Sequence, residues 1–224
     1  EYKQYGTVSA PGRLSSTSVL WGSGANLQNQ PQRAQPMFIA DPGYGFIYFD
    51  LKQAEAKVVA YAWNVTKLKE AFDLCAKDPN MDVHRMNASN IFKVPYDEIP
   101  PYDRLTYGKN TDDPKRDGET TLRYLGKRCV HGLNYRMQPD RLAITTGIDI
   151  KLAKEAYQAY HATYPEIQQA WKNTINELKK NKCLYNFMGR RLYFLEPLTD
   201  NNMDSVIAFK PQSKLLVLFK KLKL

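Results

Sequence analysis

The run Gly45-Phe46-Ile47-Tyr48-Phe49-Asp50-Leu51-Lys52-Gln53-Ala54-Glu55 sets β-branched and aromatic residues directly before an acid and a helix-forming segment. A Pro42-Gly43 turn precedes it, so the apolar stretch reads as a buried strand that ends in the carboxylate of Asp50. From about Gln53 the period changes, and Ala54, Val58, Tyr61 and Ala62 share one helical face. Strand, acid and helix in succession imply sheet and helix together, an α+β chain.

Upstream, residues 1–43 are rich in Gly, Ser, Gln and Pro without a helical period, and read as extended segments and loops. Downstream, helices are expected at 66–76, 82–92, 119–135, 139–146, 151–162 and 165–181, several behind a Thr or Asp at a capping position. Residues 95–118 contain four prolines and many charges and read as a loop or insertion. Beyond Lys182, two short apolar segments flank Met188-Gly189-Arg190 as a β-hairpin, and a last helix is expected from about Asp200 to Phe209. No internal repeat occurs.

Composition narrows the class. The 224 residues carry 32 basic and 23 acidic side chains, a formal charge of +9, with 43% hydrophobic and 25% charged residues, which excludes disorder throughout. The longest apolar runs are far shorter than the ~20 residues a membrane helix needs. The start, Glu1-Tyr2-Lys3-Gln4, has no signal-peptide pattern, and Cys75, Cys129 and Cys183 form no C-x-x-C pair. A reducing, intracellular setting follows as the expectation, without a disulfide framework or a zinc knuckle. Excess positive charge with 15 tyrosines fits an anionic partner, and equally a solvated basic surface.

Two constellations carry chemistry. Asp50 at a strand end could hold Mg²⁺, because a rigid sheet fixes the carboxylate while the next turn leaves positions open to water and phosphate oxygens; it could also cap the helix beginning near Gln53. The second constellation is Arg123, Lys127, His131 and Tyr135, each four residues from the last. Four residues turn a helix by about 400°, so these side chains form one slowly drifting stripe. Arg and Lys can grip a triphosphate while the two rings stack on sugar or base, which outlines a nucleotide-binding face. A solvated basic face is the other reading, and it leaves the rings and the small Gly126 and Gly132 unexplained.

Seven motifs in order link these segments: Gly12-Arg13-Leu14-Ser15-Ser16, Asn26-Leu27-Gln28-Asn29, Asp50 to Glu55, Asp82-Val83-His84, Arg123 through Tyr135, Gly189-Arg190-Arg191 and Pro211-Gln212. In this order they resemble the polymerase domain of family A DNA polymerases. The resemblance implies a right-hand fold, with a palm of antiparallel sheet and helices at 1–75 and 186–224 and mostly helical fingers at 76–185. It implies addition of dNTPs to a primer 3′ end on primer-template DNA, with two Mg²⁺ ions. Asp50 would be the catalytic metal ligand, Glu55 the residue crowding the sugar 2′ position, and Gln53 a neighbour of the nucleotide. Arg123 and Lys127 would bind the triphosphate, Lys127 also donating a proton to pyrophosphate, with His84 near the β-phosphate. His131 and Tyr135 would meet sugar and base, and Arg13, Asn29 and Gln212 the DNA minor groove.

The sequence departs from the pattern in three places. His131 stands where the family has phenylalanine or tyrosine, and Arg136 where a glycine follows the tyrosine. The His-Asp-Glu hairpin that brings the second metal carboxylate is missing before Leu224, so the expectation is a fragment that also lacks the thumb and is inactive by itself. A non-catalytic nucleic-acid-binding module and a single-subunit RNA polymerase are the alternatives, the latter opposed by Glu55.

Overall fold

The computed structural model describes the backbone of residues 4–6, 15–17, 32–47, 53–186 and 189–221. Two short strands, β1 (Gln4–Gly6) and β2 (Ser15–Thr17), pair antiparallel with Tyr5 opposite Ser16. Eight helices follow among the described residues: α1 (Ala54–Ala62), α2 (Thr66–Lys77), α3 (Val83–Phe92), α4 (Leu122–Asn134), α5 (Pro139–Thr146), α6 (Ile150–Thr163), α7 (Pro165–Asn181) and α8 (Asp200–Lys221). Between α7 and α8, β3 (Cys183–Tyr185) and β4 (Arg191–Tyr193) form a second antiparallel hairpin. The α+β class therefore holds, with the sheet component limited among the described residues to these two hairpins.

Helix boundaries follow local chemistry. Asp82 caps α3, accepting from the His84 amide at 2.7 Å and the Arg85 amide at 3.3 Å. Asp149 does the same for α6, Pro139 and Pro165 open α5 and α7, and Gly147 closes α5 in the left-handed region. The helix expected over 119–135 starts instead at Leu122, because Thr121 takes the cap position.

Two further expectations change. Residues 45–47 are not in a strand, and Phe46 and Ile47 are 72% and 89% exposed. Ladder hydrogen bonds from a neighbour are what hold such a run extended and buried, and no described strand lies beside it. The last helix does not stop at Phe209 but continues through Pro211 to Lys221. The 95–118 loop contains two short 3-10 turns, Tyr96–Glu98 and Pro114–Arg116.

One core organises the helices. Leu68, Phe72, Ile91, Leu133, Tyr160 and Ile167 belong to a single buried cluster contributed by α2, α3, α4, α6 and α7, and a smaller one joins Leu178, Leu184, Val206 and Phe209. In α4 the buried positions are Gly126, Cys129, Val130, Gly132, Leu133 and Asn134, so the flank carrying Arg123, Lys127 and His131 is turned away from the core. Gly126 sets how near α3 comes: a Cβ there would lie 2.9 Å from the Ala88 Cα and 2.7 Å from its Cβ. Only a hydrogen fits between these backbones.

Candidate functional site

The α4 stripe meets two groups of partners, one at each end. Near the N-terminus, Arg123 is 15% exposed and donates from Nε and Nη2 to Asp82 Oδ2 at 2.9 and 2.8 Å. Its Nη1 donates to Asp103 Oδ1, and Lys127 Nζ reaches Asp103 Oδ2 at 3.3 Å. Burial alone would raise the Asp82 carboxyl, but the Arg123 hydrogen bond and charge and the two α3 amides outweigh it, so its pKa falls below the ordinary value. His84 lies near these charges at 8% exposed, and burial is the main cause that brings its imidazole down to about 4. It is therefore neutral near pH 7.

Towards the C-terminus, Glu55 is the hub. Its Oε1 accepts from the Tyr135 hydroxyl at 2.8 Å and faces Gln212 Nε2 at 3.5 Å, while Oε2 lies 3.5 Å from His131 Nδ1. The Tyr135 ring stands edge-on to His131 at 5.7 Å and to Trp63 at 6.5 Å. The structure thus gathers Glu55, His131, Tyr135 and Gln212 from α1, α4 and α8, and separately Arg123, Lys127 and His84. Eight residues separate Arg123 from His131, a rise of about 12 Å along one helix. Gln53 occupies the N-cap of α1 in the left-handed region with φ 57° and makes no side-chain cap bond. Asp50, Arg13 and Asn29 lie outside the described residues.

The sequence profile of DNA polymerase family A matches residues 1–208. The chain belongs to this family. It is 29% identical over 195 residues to DNA polymerase I of Pseudomonas aeruginosa, covering 84% of the chain and 18% of that protein. To DNA polymerase I of Borreliella burgdorferi it is 28% identical over 204 residues, covering 88% of the chain and 19% of that protein. To the DNA polymerase of Mycobacterium phage D29 it is 28% identical over 176 residues, 79% of the chain and 24% of that protein. The chain therefore spans about a fifth of the length of these family A relatives. Among solved structures, the POL domain of Pol1 from M. smegmatis, in complex with DNA primer-template and dNTP, superposes with a TM-score of 0.64 at 24% identity, covering 95% of the chain and 34% of that one.

Within this family A chain, Arg136 shows why a glycine suits its position. It follows α4 with φ 67°, a left-handed conformation that costs a non-glycine residue about 1–2 kcal/mol. Arg136 adds ion pairs there, Nη2 to Asp200 at 2.8 Å and Nη1 to Asp204 at 3.6 Å, which tie the end of α4 to α8. Asp200 and Asp204 thus engage arginines, Asp204 also lying 3.8 Å from Arg141. Among the described residues no group of three or more His, Cys, Asp or Glu is placed to hold a metal ion.

Three contributors escaped the sequence reading. Asp82 stood out only within the Asp82-Val83-His84 motif, and neither its cap on α3 nor its grip on Arg123 was legible. Asp103 lies in the loop and has no local signature. Asn134 ends α4 by accepting from the Tyr160 hydroxyl at 2.8 Å through Oδ1 and from Trp171 Nε1 at 2.9 Å through its carbonyl.

The buried histidines set a pH dependence. His161, 6% exposed among Tyr157, Tyr160 and Trp171, is also lowered by burial to about 4. Unfolded chains protonate both histidines near the ordinary 6.5, folded ones only near 4, so the unfolded state binds more protons between these values. Stability is full above about pH 6.5 and falls as the pH drops towards 4, by on the order of a few kcal/mol in all. Urea midpoints at pH 7 and pH 4.5 should show this loss. His161→Phe, which keeps a ring among the aromatics, should reduce it, and an unchanged difference would contradict the assignment.

Proposed function

We propose that this protein serves template-directed DNA synthesis, adding deoxynucleoside triphosphates to a primer 3′ end with release of pyrophosphate. The observation that carries the reading is the order of groups along α4: Arg123 and Lys127 at one end, and His131 and Tyr135 beside Glu55 at the other. A triphosphate needs cations and a sugar and base need rings and a hydrogen-bonding limit, in that sequence along one surface. The M. smegmatis POL domain of similar fold was solved with primer-template and dNTP, which supports the same partners here.

In this reading Arg123 and Lys127 bind the phosphates, with Lys127 the proton donor to the leaving pyrophosphate. His84 is a neutral donor near them, Gln53 and Glu55 border the sugar, and His131 and Tyr135 border sugar and base. Arg13, Asn29 and Gln212 follow the DNA minor groove, and Asp50 is the ligand for the two Mg²⁺ ions. Palm is assigned to 1–75 and 186–224 and fingers to 76–185. The setting is the interior of the cell, or of the host cell if the gene is a phage's. No helix of the described residues is long and apolar enough to cross a membrane.

Primer extension by the full-length protein tests the proposal, with complementary deoxynucleotide and ribonucleotide in competition. Preference for the deoxynucleotide is expected, and Glu55→Ala should lower that preference roughly 10–100-fold, because a group that limits the 2′ position is removed. Preference for ribonucleotides would favour the RNA polymerase reading. DNA binding without extension by the full-length protein would favour the non-catalytic module.

A further inference from the structure

The cations assigned to the triphosphate are already engaged. Arg123 and Lys127 face Asp82 and Asp103, so two positive charges meet two negative ones, and the nearby His84 is neutral. The carboxylates differ in how they are held. Asp82 is fixed as the cap of α3 by two backbone amides. Asp103 is bound at its backbone, its carbonyl accepting from the Thr121 amide at 3.1 Å, while its side chain is 33% exposed and touches only the two cations among its recorded polar contacts. Thr121 also holds the neighbouring Tyr102 carbonyl through its hydroxyl at 2.6 Å. The loop is anchored onto the first turn of the helix that carries both cations, and the carboxylate can leave by rotating about its own side-chain bonds.

From this arrangement we infer that Asp103 is a built-in stand-in for nucleotide phosphate, occupying Arg123 and Lys127 until an incoming triphosphate displaces it. The inference rests on the nucleotide-binding reading of the α4 face and adds a competitor to it. A carboxylate carried by a residue whose own backbone is anchored acts at a high effective concentration, so it weakens every free anion that uses the same cations. In exchange it keeps the guanidinium and ammonium positioned in the empty site and repels anions too weakly charged to displace it. Asp82 stays on Arg123 throughout, holding the guanidinium to α3.

Isothermal titration of the protein with inorganic tripolyphosphate at fixed ionic strength tests this. Asp103→Asn should bind the probe roughly ten-fold more tightly than the parent, because a charge-assisted competitor becomes a neutral one. Asp103→Asn affinity equal to or below a measurable parent affinity would overturn the stand-in and leave the nucleotide reading intact. Absence of binding to both proteins would remove the nucleotide reading and the stand-in with it. A role as a mere brace predicts weaker binding in the variant. Should Asp103→Asn fail to fold, carbon NMR of the parent decides: the Asp103 carboxyl resonance should move as tripolyphosphate saturates Arg123 and Lys127, and a resonance that stays in place refutes displacement.

Discussion

Lys127→Ala is expected to slow deoxynucleotide addition by the full-length polymerase roughly 10²–10³-fold while leaving its unfolding midpoint almost unchanged. The side chain is 49% exposed and its recorded partner is Asp103 at 3.3 Å, an ion pair of the kind that contributes at most about 1 kcal/mol to folding. In the proposed reaction its weight falls on the chemistry. Charge accumulates on the leaving pyrophosphate as the bond to it breaks, and an ammonium on the α4 face can both balance that charge and deliver a proton. Lys127→Arg separates these contributions, because a guanidinium keeps the charge but does not release a proton at ordinary pH. Single-turnover incorporation should show nucleotide affinity largely kept in Lys127→Arg and the rate still depressed. A parental rate in Lys127→Ala would remove Lys127 from the chemistry.

Trp171→Ala is expected to destabilise the protein by about 3–5 kcal/mol, the range for losing a buried aromatic side chain. Trp171 is 7% exposed, stands edge-on to His161 at 5.0 Å and donates to the Asn134 carbonyl at the last residue of α4. The substitution opens a cavity and leaves a buried carbonyl without this donor. Trp171→Phe retains most of the ring and should cost about 1–2 kcal/mol for the hydrogen bond. Urea unfolding of the three proteins measures both. Because Tyr135 follows Asn134 directly, Trp171→Ala should also broaden the Tyr135 ring resonances. A loss below about 1 kcal/mol would show that the α4 terminus is held by something else.

The link between these two residues illustrates how the proposed binding face is maintained. Lys127 is offered to solvent by a helix whose opposite side is fixed by Gly126 against Ala88 and whose end is fixed by Trp171 and Tyr160 on Asn134. Asn87 repeats the device in α3, accepting from the Tyr164 hydroxyl at 2.9 Å and donating to the Val83 carbonyl at 2.9 Å. Both amides are buried and bonded to residues of other helices, so α3 and α4 hold one relative placement, and Asp82 and His84 come to rest near Arg123.

Much of this was legible in the chain itself. The spacing of four through Arg123, Lys127, His131 and Tyr135 put these residues on one helical flank, and Thr and Asp residues at capping positions marked where several helices begin to within a few residues, Asp149 before α6 among them. Met188-Gly189-Arg190 marked the turn between β3 and β4, and the ordered motifs identified the family. Such signals are short-range: a cap, a turn or a helical face depends on residues within a few positions, which any reader of the sequence can count. The strand expected over 45–50 is not formed over its described residues 45–47 for the complementary reason, since a strand needs a neighbour and composition does not supply one.

Tertiary structure alone decided which charges meet. Glu55 contacts Tyr135 from 80 positions away and Gln212 from 157, and Asp103 reaches Arg123 and Lys127 from 20 and 24 positions away out of a loop without periodicity. Helical spacing says that a side chain points away from the core, but whether water, phosphate or a carboxylate waits there depends on the path of the whole chain.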